Sequence, residues 1–277
     1  MEKVLLIDGH NLLFRMFYGI PSSIRNFQGK EIKGVLGFIG SLNKLIDKFK
    51  PHHLIVVFDT ETSTASRLKE DGEYKQNRMD YSLLTEDENP FTQLPYIYQA
   101  LEHMGILYHQ ARDYEADDYI ASLCKYLKKD HEVTIVSTDK DFLQLVSDNI
   151  IVYNPASDYI YTPDSVYEKF LIRPNQVIDY KILIGDKSDN IKGVPKIGPK
   201  TAVKILSIGS LDEIYNQEKV IDEKLYLKLI EYQEVVKVNR NLITMNSQIE
   251  INLEKEKTKC PVCDKIAKEI LKECGIF

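Results

Sequence analysis

Three short runs constrain the fold more than anything else in the chain: KVLLID at 3–8, HHLIVVFD at 52–59 and EVTIVS at 132–137. Each is apolar on consecutive positions rather than alternate ones. Each therefore predicts a strand buried on both faces, which belongs in a parallel sheet covered by helices. Helical spacing fills the intervals. Val35, Phe38, Ile39, Leu42, Leu45, Ile46 and Phe49 share one side of a helix over 33–49, and residues 91–104 predict another, followed by a short strand at 105–109. The run EADDYIASLCKYLKK at 115–129 predicts an amphipathic helix whose acids sit in the first turn, where the macrodipole favours them. Residues 150–153 and 158–161, divided by Asn-Pro-Ala-Ser, predict a pair of short strands, and from Pro163 onward the chain predicts helices. The expected fold class is α/β, a mainly parallel sheet flanked by helices over 1–162, with a helical region over 163–277. A chain of 277 residues with 43% hydrophobic residues can bury a core of that size.

Ligands of an open α/β sheet bind beyond the carboxyl ends of its strands. The three buried runs end at or just before Asp8, Asp59 and Asp139. Further acids accompany them: Glu115, Asp117 and Asp118 open a helix, Asp141 lies two residues past Asp139, and Asp186 and Asp189 stand in GDKSDN. Taken singly, each could be a helix cap or a solvated turn residue. Together, nine carboxylates in one pocket require cations. An all-oxygen donor set selects Mg²⁺ or Mn²⁺ over Zn²⁺, and two such ions about 4 Å apart clamp a phosphodiester and activate water for in-line attack.

A lysine ladder follows the last carboxylates. Between Lys192 and Lys204 there are four lysines and no acid, and the Gly-Val-Pro and Ile-Gly-Pro steps punctuate two helices with a tight hairpin. Pro199 suits a first helical position, and the N–H groups freed there, beside Gly198 and flanked by Lys196 and Lys200, form an anion site. Such a hairpin reads DNA backbone without reading sequence. The segment 60–89 is polar, charged and nearly core-less, too long for an ordinary connection and therefore expected to be functional.

The pieces DGHNLLFR (8–15), VVFD (56–59), YKQNR (74–78), YEADD (114–118), STDKDFLQL (137–145) and GDKSDNIKGVPKIGPKTA (185–202) resemble, in family order, the bacterial flap endonucleases. That family comprises the 5′→3′ exonuclease domain of DNA polymerase I and its free-standing relatives. The resemblance implies a PIN-like core with an arch or clamp at about 60–90 and a helix-three-turn-helix motif at about 181–208. It implies that Glu115, Asp117, Asp139 and Asp141 form the tighter metal site with Asp8 and Asp59 nearby, while Asp118, Asp186 and Asp189 serve a second ion. It further implies roles for Tyr74 stacking on a base, for Lys75 and Arg78 at the scissile phosphate, for Arg15 as a phosphate contact, and for Arg67 as an arch arginine. Lys192, Gly193, Val194, Lys196, Ile197, Gly198, Lys200 and Thr201 become the expected duplex-binding residues, with K⁺ at the same motif. The implied activity is a structure-specific 5′ nuclease acting on DNA with a 5′ flap, nick or free 5′ end, and on RNA–DNA hybrid, in repair or replication. A non-catalytic DNA-junction binder explains the hairpin but not the acids, and a PIN-type ribonuclease the acids but not the hairpin.

The net charge of −6 taken alone argues against a nucleic-acid partner. With nine of the 42 acids assigned to the pocket, the 33 that remain face 36 basic residues, so the acidity marks the site rather than the surface that DNA meets. Asp8 interrupts the first apolar run, so no signal peptide is expected, and the protein is expected to be cytoplasmic and monomeric, without a polymerase region. Cys260, Cys263 and Cys274 suggest zinc, but no histidine lies beyond His131, and an ordinary C-terminal helix is expected there.

Overall fold

The computed structural model describes every residue except Glu61, Thr64, Arg78 and Cys263, and for Ala65, Ser66 and Lys255 it describes the backbone alone. The elements run in the order β1 (Glu2–Asp8), α1 (Gly9–Gly19), α2 (Lys33–Phe49), β2 (His53–Phe58), α3 (Ala65–Glu70), α4 (Leu94–Met104), β3 (Leu107–Gln110), α5 (Ala116–Leu127), β4 (His131–Val136), β5 (Ile150–Asn154), β6 (Tyr159–Tyr161) and α6 (Pro163–Phe170). Then come α7 (Val177–Ile184), a small hairpin of β7 (Gly185–Asp186) and β8 (Ile191–Lys192), α8 (Pro199–Leu206), α9 (Leu211–Tyr215), α10 (Glu223–Glu231), α11 (Gln233–Ile243), α12 (Lys255–Thr258) and α13 (Ala267–Glu273).

The six-stranded sheet has the order β3-β2-β1-β4-β5-β6, with every pairing parallel except β5 with β6. The consecutive apolar positions of β1 serve two cores: Leu5 and Ile7 pack with α2 and α4, while Val4 and Leu6 face α5. Strand β2 divides in the same way, with Leu54, Val56 and Phe58 on one face and Ile55 and Val57 on the other. The chain leaves β1 towards β2 and β3, then crosses to β4 and β5. The strand order therefore reverses beside β1, and a crevice opens at the carboxyl ends of β1 and β4.

The helical region shares the second core with the sheet, since Ile182, Leu183, Ile205, Leu229 and Leu242 belong to the same buried cluster as Val4 and Ile135. The chain end then returns to the first core, where Ile270, Leu271 and Ile276 pack beside Leu42 and Leu101. Cys274 lies at the end of that last helix, α13, and Cys260 donates its N–H to the His52 carbonyl at 2.8 Å. Cys263 lies outside the described residues.

Segment 60–89 is where the resemblance implies an arch or clamp. Its described part holds the two-turn helix α3 and a single 3₁₀ turn at Tyr81–Leu83. Polar links fold it onto the helical region: Lys75 N–H to the Asp189 carbonyl at 3.1 Å, Asn77 to the Lys187 carbonyl at 2.9 Å, and Asn190 to the Glu73 carbonyl at 2.8 Å. Asn241 reaches Glu70 at 3.2 Å. The sequence pattern missed this because the attachment is made by side-chain amides and backbone groups, which carry no apolar periodicity.

Candidate metal centre and nucleic-acid interface

Strand β1 delivers Asp8 to the crevice, where its carboxylate caps α1 by accepting the Asn11 N–H at 3.1 Å. The Ser137 hydroxyl, just past β4, donates to the other oxygen of Asp8 at 2.9 Å and accepts the Asp139 N–H at 3.0 Å. Asn11 crosses to Thr138 through the Thr138 N–H at 3.0 Å, fastening the two strand ends together. Asp59, past β2, accepts the Ala116 N–H at the start of α5 at 2.8 Å and lies 3.6 Å from His10. Two helix N-termini thus point at the acids, and their partial positive charge favours the ionised forms.

Glu115 caps α5, and Asp118 three residues later returns the bond to the Glu115 N–H. The buried Arg67 of α3 then bridges Glu115, Asp117 and Asp118, at 2.7 Å from the last. Lys75 Nζ lies 2.8 Å from both carboxylate oxygens of Glu115. On the other side of Asp139, Asp141, Asp186 and Asp189 bring one oxygen each within 4.8 Å of one another. Lys181 of α7 pairs with Asp141 and, at 2.6 Å, with Asp186. A cleft of about 550 Å³ opens there, lined by Thr138, Asp139, Lys181, Asp186 and Asp189 among others.

The electrostatics agree with a site that needs cations. Burial pushes Asp8 up to about 7, and the Asp59 and Asp139 charges add to this while Asn11 and Ser137 resist it. Burial likewise raises Asp139 to about 6, opposed by Lys181 and helped by Asp117 and Asp189, so Asp139 feels both flanking groups of acids. Asp118 is raised to about 6 by burial and by Asp117. At Asp59 and Asp186 burial also pulls upward, but His10 with the Ala116 N–H in one case, and Lys181 with Ser188 in the other, outweigh it and hold both below the ordinary value. Carboxylates this crowded, all offering oxygen and already drawing in Arg67, Lys75 and Lys181, fit hard divalent cations.

The nine acids read from the sequence therefore converge, but several basic and aromatic residues sit differently from expectation. Tyr74 is 3% exposed; its ring is part of the core and its hydroxyl donates to Glu115 at 3.3 Å, so it supports a carboxylate instead of offering a stacking face. Arg67, at 7% exposure, is a counter-ion of the acids and not an open DNA contact. Arg15 donates to the Pro155 carbonyl at 2.7 Å. Arg78 lies outside the described residues. In the hairpin region Lys192, Lys196, Gly198 and Lys200 are exposed and Gly193 and Thr201 half-buried, whereas the side chains of Val194 and Ile197 are packed in the core and leave only backbone for a ligand. Lys192 pairs with Glu73 at 3.0 Å. Gly198 caps α8 and Pro199 takes its first position. Gly185 has φ +77°, and a methyl group on Gly193 would lie 2.5 Å from the Gly185 nitrogen, so both glycines are dictated by the crossing of the two hairpin strands.

The residues missed in the sequence are Ser137, Asn11, Thr138 and Lys181. Only Lys181 left a signal, a lone cation within the apolar helix VIDYKILI.

The two halves of the chain match family models in chain order: residues 3–171 the N-terminal resolvase-like domain of 5′-3′ exonucleases, and residues 172–273 their C-terminal SAM fold. The chain belongs to the 5′-3′ exonuclease family. It is 35% identical to a 5′-3′ exonuclease of Aquifex aeolicus (strain VF5) over 276 residues, covering 98% of this chain and 91% of that protein. It is 37% identical to DNA polymerase I of Streptococcus pneumoniae (strain ATCC BAA-255 / R6) over 265 residues, covering 91% of this chain but only 30% of the polymerase's length. Among solved structures, it is similar to the bacteriophage T5 5′-exonuclease with bound divalent zinc ions, with a TM-score of 0.74, 25% identity and coverage of 98% of this chain and 99% of that one. A T5 flap endonuclease complexed with DNA and metal ions shares the fold, with a TM-score of 0.75 at 24% identity over 98% of this chain and 97% of that one. Among the described residues of this family member, no helix is long and apolar enough to cross a membrane.

Proposed function

We propose that this member of the 5′-3′ exonuclease family is a structure-specific 5′ nuclease that hydrolyses DNA phosphodiesters at 5′ flaps, nicks and free 5′ ends. The observation that carries this reading is the crevice itself. Acids from β1, β2, α5, the turn after β4 and the β7–β8 hairpin meet where the lysine-bearing hairpin and the 60–89 segment also meet.

Mg²⁺ or Mn²⁺ held by these acids would polarise the scissile phosphate and supply hydroxide at neutral pH. The chain's own groups do the rest. Glu115, Asp117 and Asp139, with Asp8, Asp59 and Asp118 beside them, would hold one ion, and Asp186 and Asp189 the second, together with Asp141, which groups with them and not, as the resemblance implied, with Glu115. Ser137 keeps Asp8 and Asp139 aligned, and the N-termini of α1 and α5 favour the ionised forms of Asp8 and Asp59. Lys75, within ion-pair reach of Glu115, supplies positive charge where the phosphate would lie. The exposed Lys196 and Lys200, with the free N–H groups at the start of α8, would hold duplex backbone, and K⁺ would sit at the turn between Gly193 and Gly198.

Incubation of a 5′-flapped duplex with the protein tests this reading. Cleavage that depends on Mg²⁺ or Mn²⁺, stops in EDTA and leaves a 5′-phosphate supports it. Cleavage that persists without divalent metal would remove the two-ion mechanism, and binding without cleavage in every metal would remove the catalytic reading.

A further inference from the structure

Glu2, His53 and His131 meet at the opposite end of the sheet, where β1, β2 and β4 begin. Strand register brings them there: His131 lies beside Glu2, and His53 beside Val4 on the other neighbour. Glu2 and Asp8 stand at opposite ends of β1, about 20 Å of strand apart, so this cluster is independent of the crevice. Both imidazoles are buried, while the Glu2 side chain is 59% exposed.

The hydrogen bonds fix which ring nitrogens face the centre. His131 Nδ1 lies 3.3 Å from the Leu127 carbonyl, which can only accept, so Nδ1 carries the proton and Nε2 the lone pair. His53 Nδ1 lies 2.7 Å from the Thr258 hydroxyl, which can accept from it or donate to it, and Nε2 is the inward atom. Both Nε2 atoms point at the same Glu2 oxygen, at 3.3 Å from His53 and 3.6 Å from His131, and all three atoms lie within 4.8 Å of one another. With His53 Nδ1 donating to Thr258, three acceptor atoms converge on one point, an arrangement that a cation would satisfy. The spacings of 3.3 and 3.6 Å match the ~3.3 Å edge of a tetrahedron whose centre lies about 2.05 Å from nitrogen and oxygen ligands. His52 does not join the set through Nδ1, which accepts the Lys3 N–H at 3.0 Å.

We infer that Glu2, His53 and His131 form a second metal site, for Zn²⁺ or a similar borderline transition ion, with two imidazoles, one carboxylate and a fourth position open to solvent beside Glu2. Outer partners of this kind orient metal-binding histidines generally. Here they tie the site to α5 through Leu127 and to the C-terminal segment through Thr258, whose neighbour Lys259 bridges to His53. The ion would therefore rivet the C-terminal segment to the start of three strands.

Cobalt titration of the full chain tests this site separately from the carboxylate crevice. Four-coordinate Co²⁺ with imidazole ligands absorbs strongly in the visible, whereas an all-oxygen octahedral site absorbs faintly. Wild type and Asp139→Asn should both develop the strong bands, and one equivalent of Zn²⁺ should abolish them. Glu2→Gln, His53→Gln and His131→Gln should lose them. Thr258→Val should weaken Zn²⁺ binding about 10–100-fold against a chromophoric chelator, with flap cleavage unchanged. Absence of the bands in wild type, or their survival in Glu2→Gln, overturns the inference. Glu2 is exposed at a strand end, so that variant decides even if the histidine variants do not fold.

Discussion

The Ser137 hydroxyl holds the Asp8 carboxylate at 2.9 Å while taking the Asp139 N–H at 3.0 Å, so one small side chain sets the spacing of two acids that arrive on different strands. The parallel pairing of β1 with β4 brings them close, and Ser137 fixes the remaining distance.

Replacing that serine should therefore show in the pH dependence. Ser137→Ala removes a hydrogen bond that favours ionised Asp8, already pushed up to about 7, and so raises Asp8 further. The acidic limb of the kcat/KM profile on a flapped duplex at fixed Mg²⁺ should move to higher pH, with a rate loss of about 10–100-fold at pH 7. An unmoved limb would mean that the hydroxyl serves packing only.

Without metal, the crevice should destabilise the fold as pH rises. Asp8 titrates at about 7, and Asp118 and Asp139 at about 6, against an ordinary 3.8, so between those limits the folded state holds protons that the unfolded chain has released. Stability must fall across that window as pH increases. Asp59 and Asp186, held low, act in the opposite sense and only below it. In EDTA the melting temperature should be lower at pH 8 than at pH 5.5, and Mg²⁺ should raise it more at pH 8. Asp139→Asn should raise the melting temperature in EDTA at pH 8 yet reduce cleavage by more than ~100-fold. A parallel loss of both would indicate misfolding.

Tyr74 gives a test of burial against surface function. Its ring is packed in the core, so Tyr74→Ala should cost about 3–5 kcal/mol in urea unfolding. Tyr74→Phe, which keeps the ring and loses the bond to Glu115, should cost about 1 kcal/mol. A Tyr74→Ala protein of unchanged stability with weakened single-strand binding would restore the stacking role.

Gly193→Ala places a methyl group 2.6 Å from the Ile184 carbonyl oxygen, against backbone that has nowhere to move. The β7–β8 hairpin should open, weakening duplex binding and disturbing Asp186 and Asp189 together. Hydrogen exchange at residues 183–194 would report it; exchange identical to wild type would contradict the crossing described here.

Lys196→Ala with Lys200→Ala should weaken duplex binding for all sequences alike and lower the slope of log K against log salt by roughly two. Fluorescence anisotropy at several salt concentrations measures this, and an unchanged slope removes both lysines from the footprint.

The sequence alone determined the parallel sheet, because residues such as Leu5 and Leu6 are apolar on adjacent positions and a strand hydrophobic on both faces has few places to lie. It also marked the nine acids, since strand ends and helix starts are positions defined locally. What it could not settle were relations made across the chain. Nothing local to Arg67 says that it neutralises Glu115, Asp117 and Asp118, 48 to 51 residues away, and nothing around Tyr74 says that its ring is buried. Val194 and Ile197 were legible as part of a hairpin, but the direction in which they point depends on α7 and α11 packing beneath them. The union of Glu2, His53 and His131 is the same kind of fact: three residues far apart in the chain are adjacent only because β1 pairs with β2 on one side and β4 on the other. Periodicity records which side of an element is buried. Only the tertiary pairing of those elements decides which charges become neighbours.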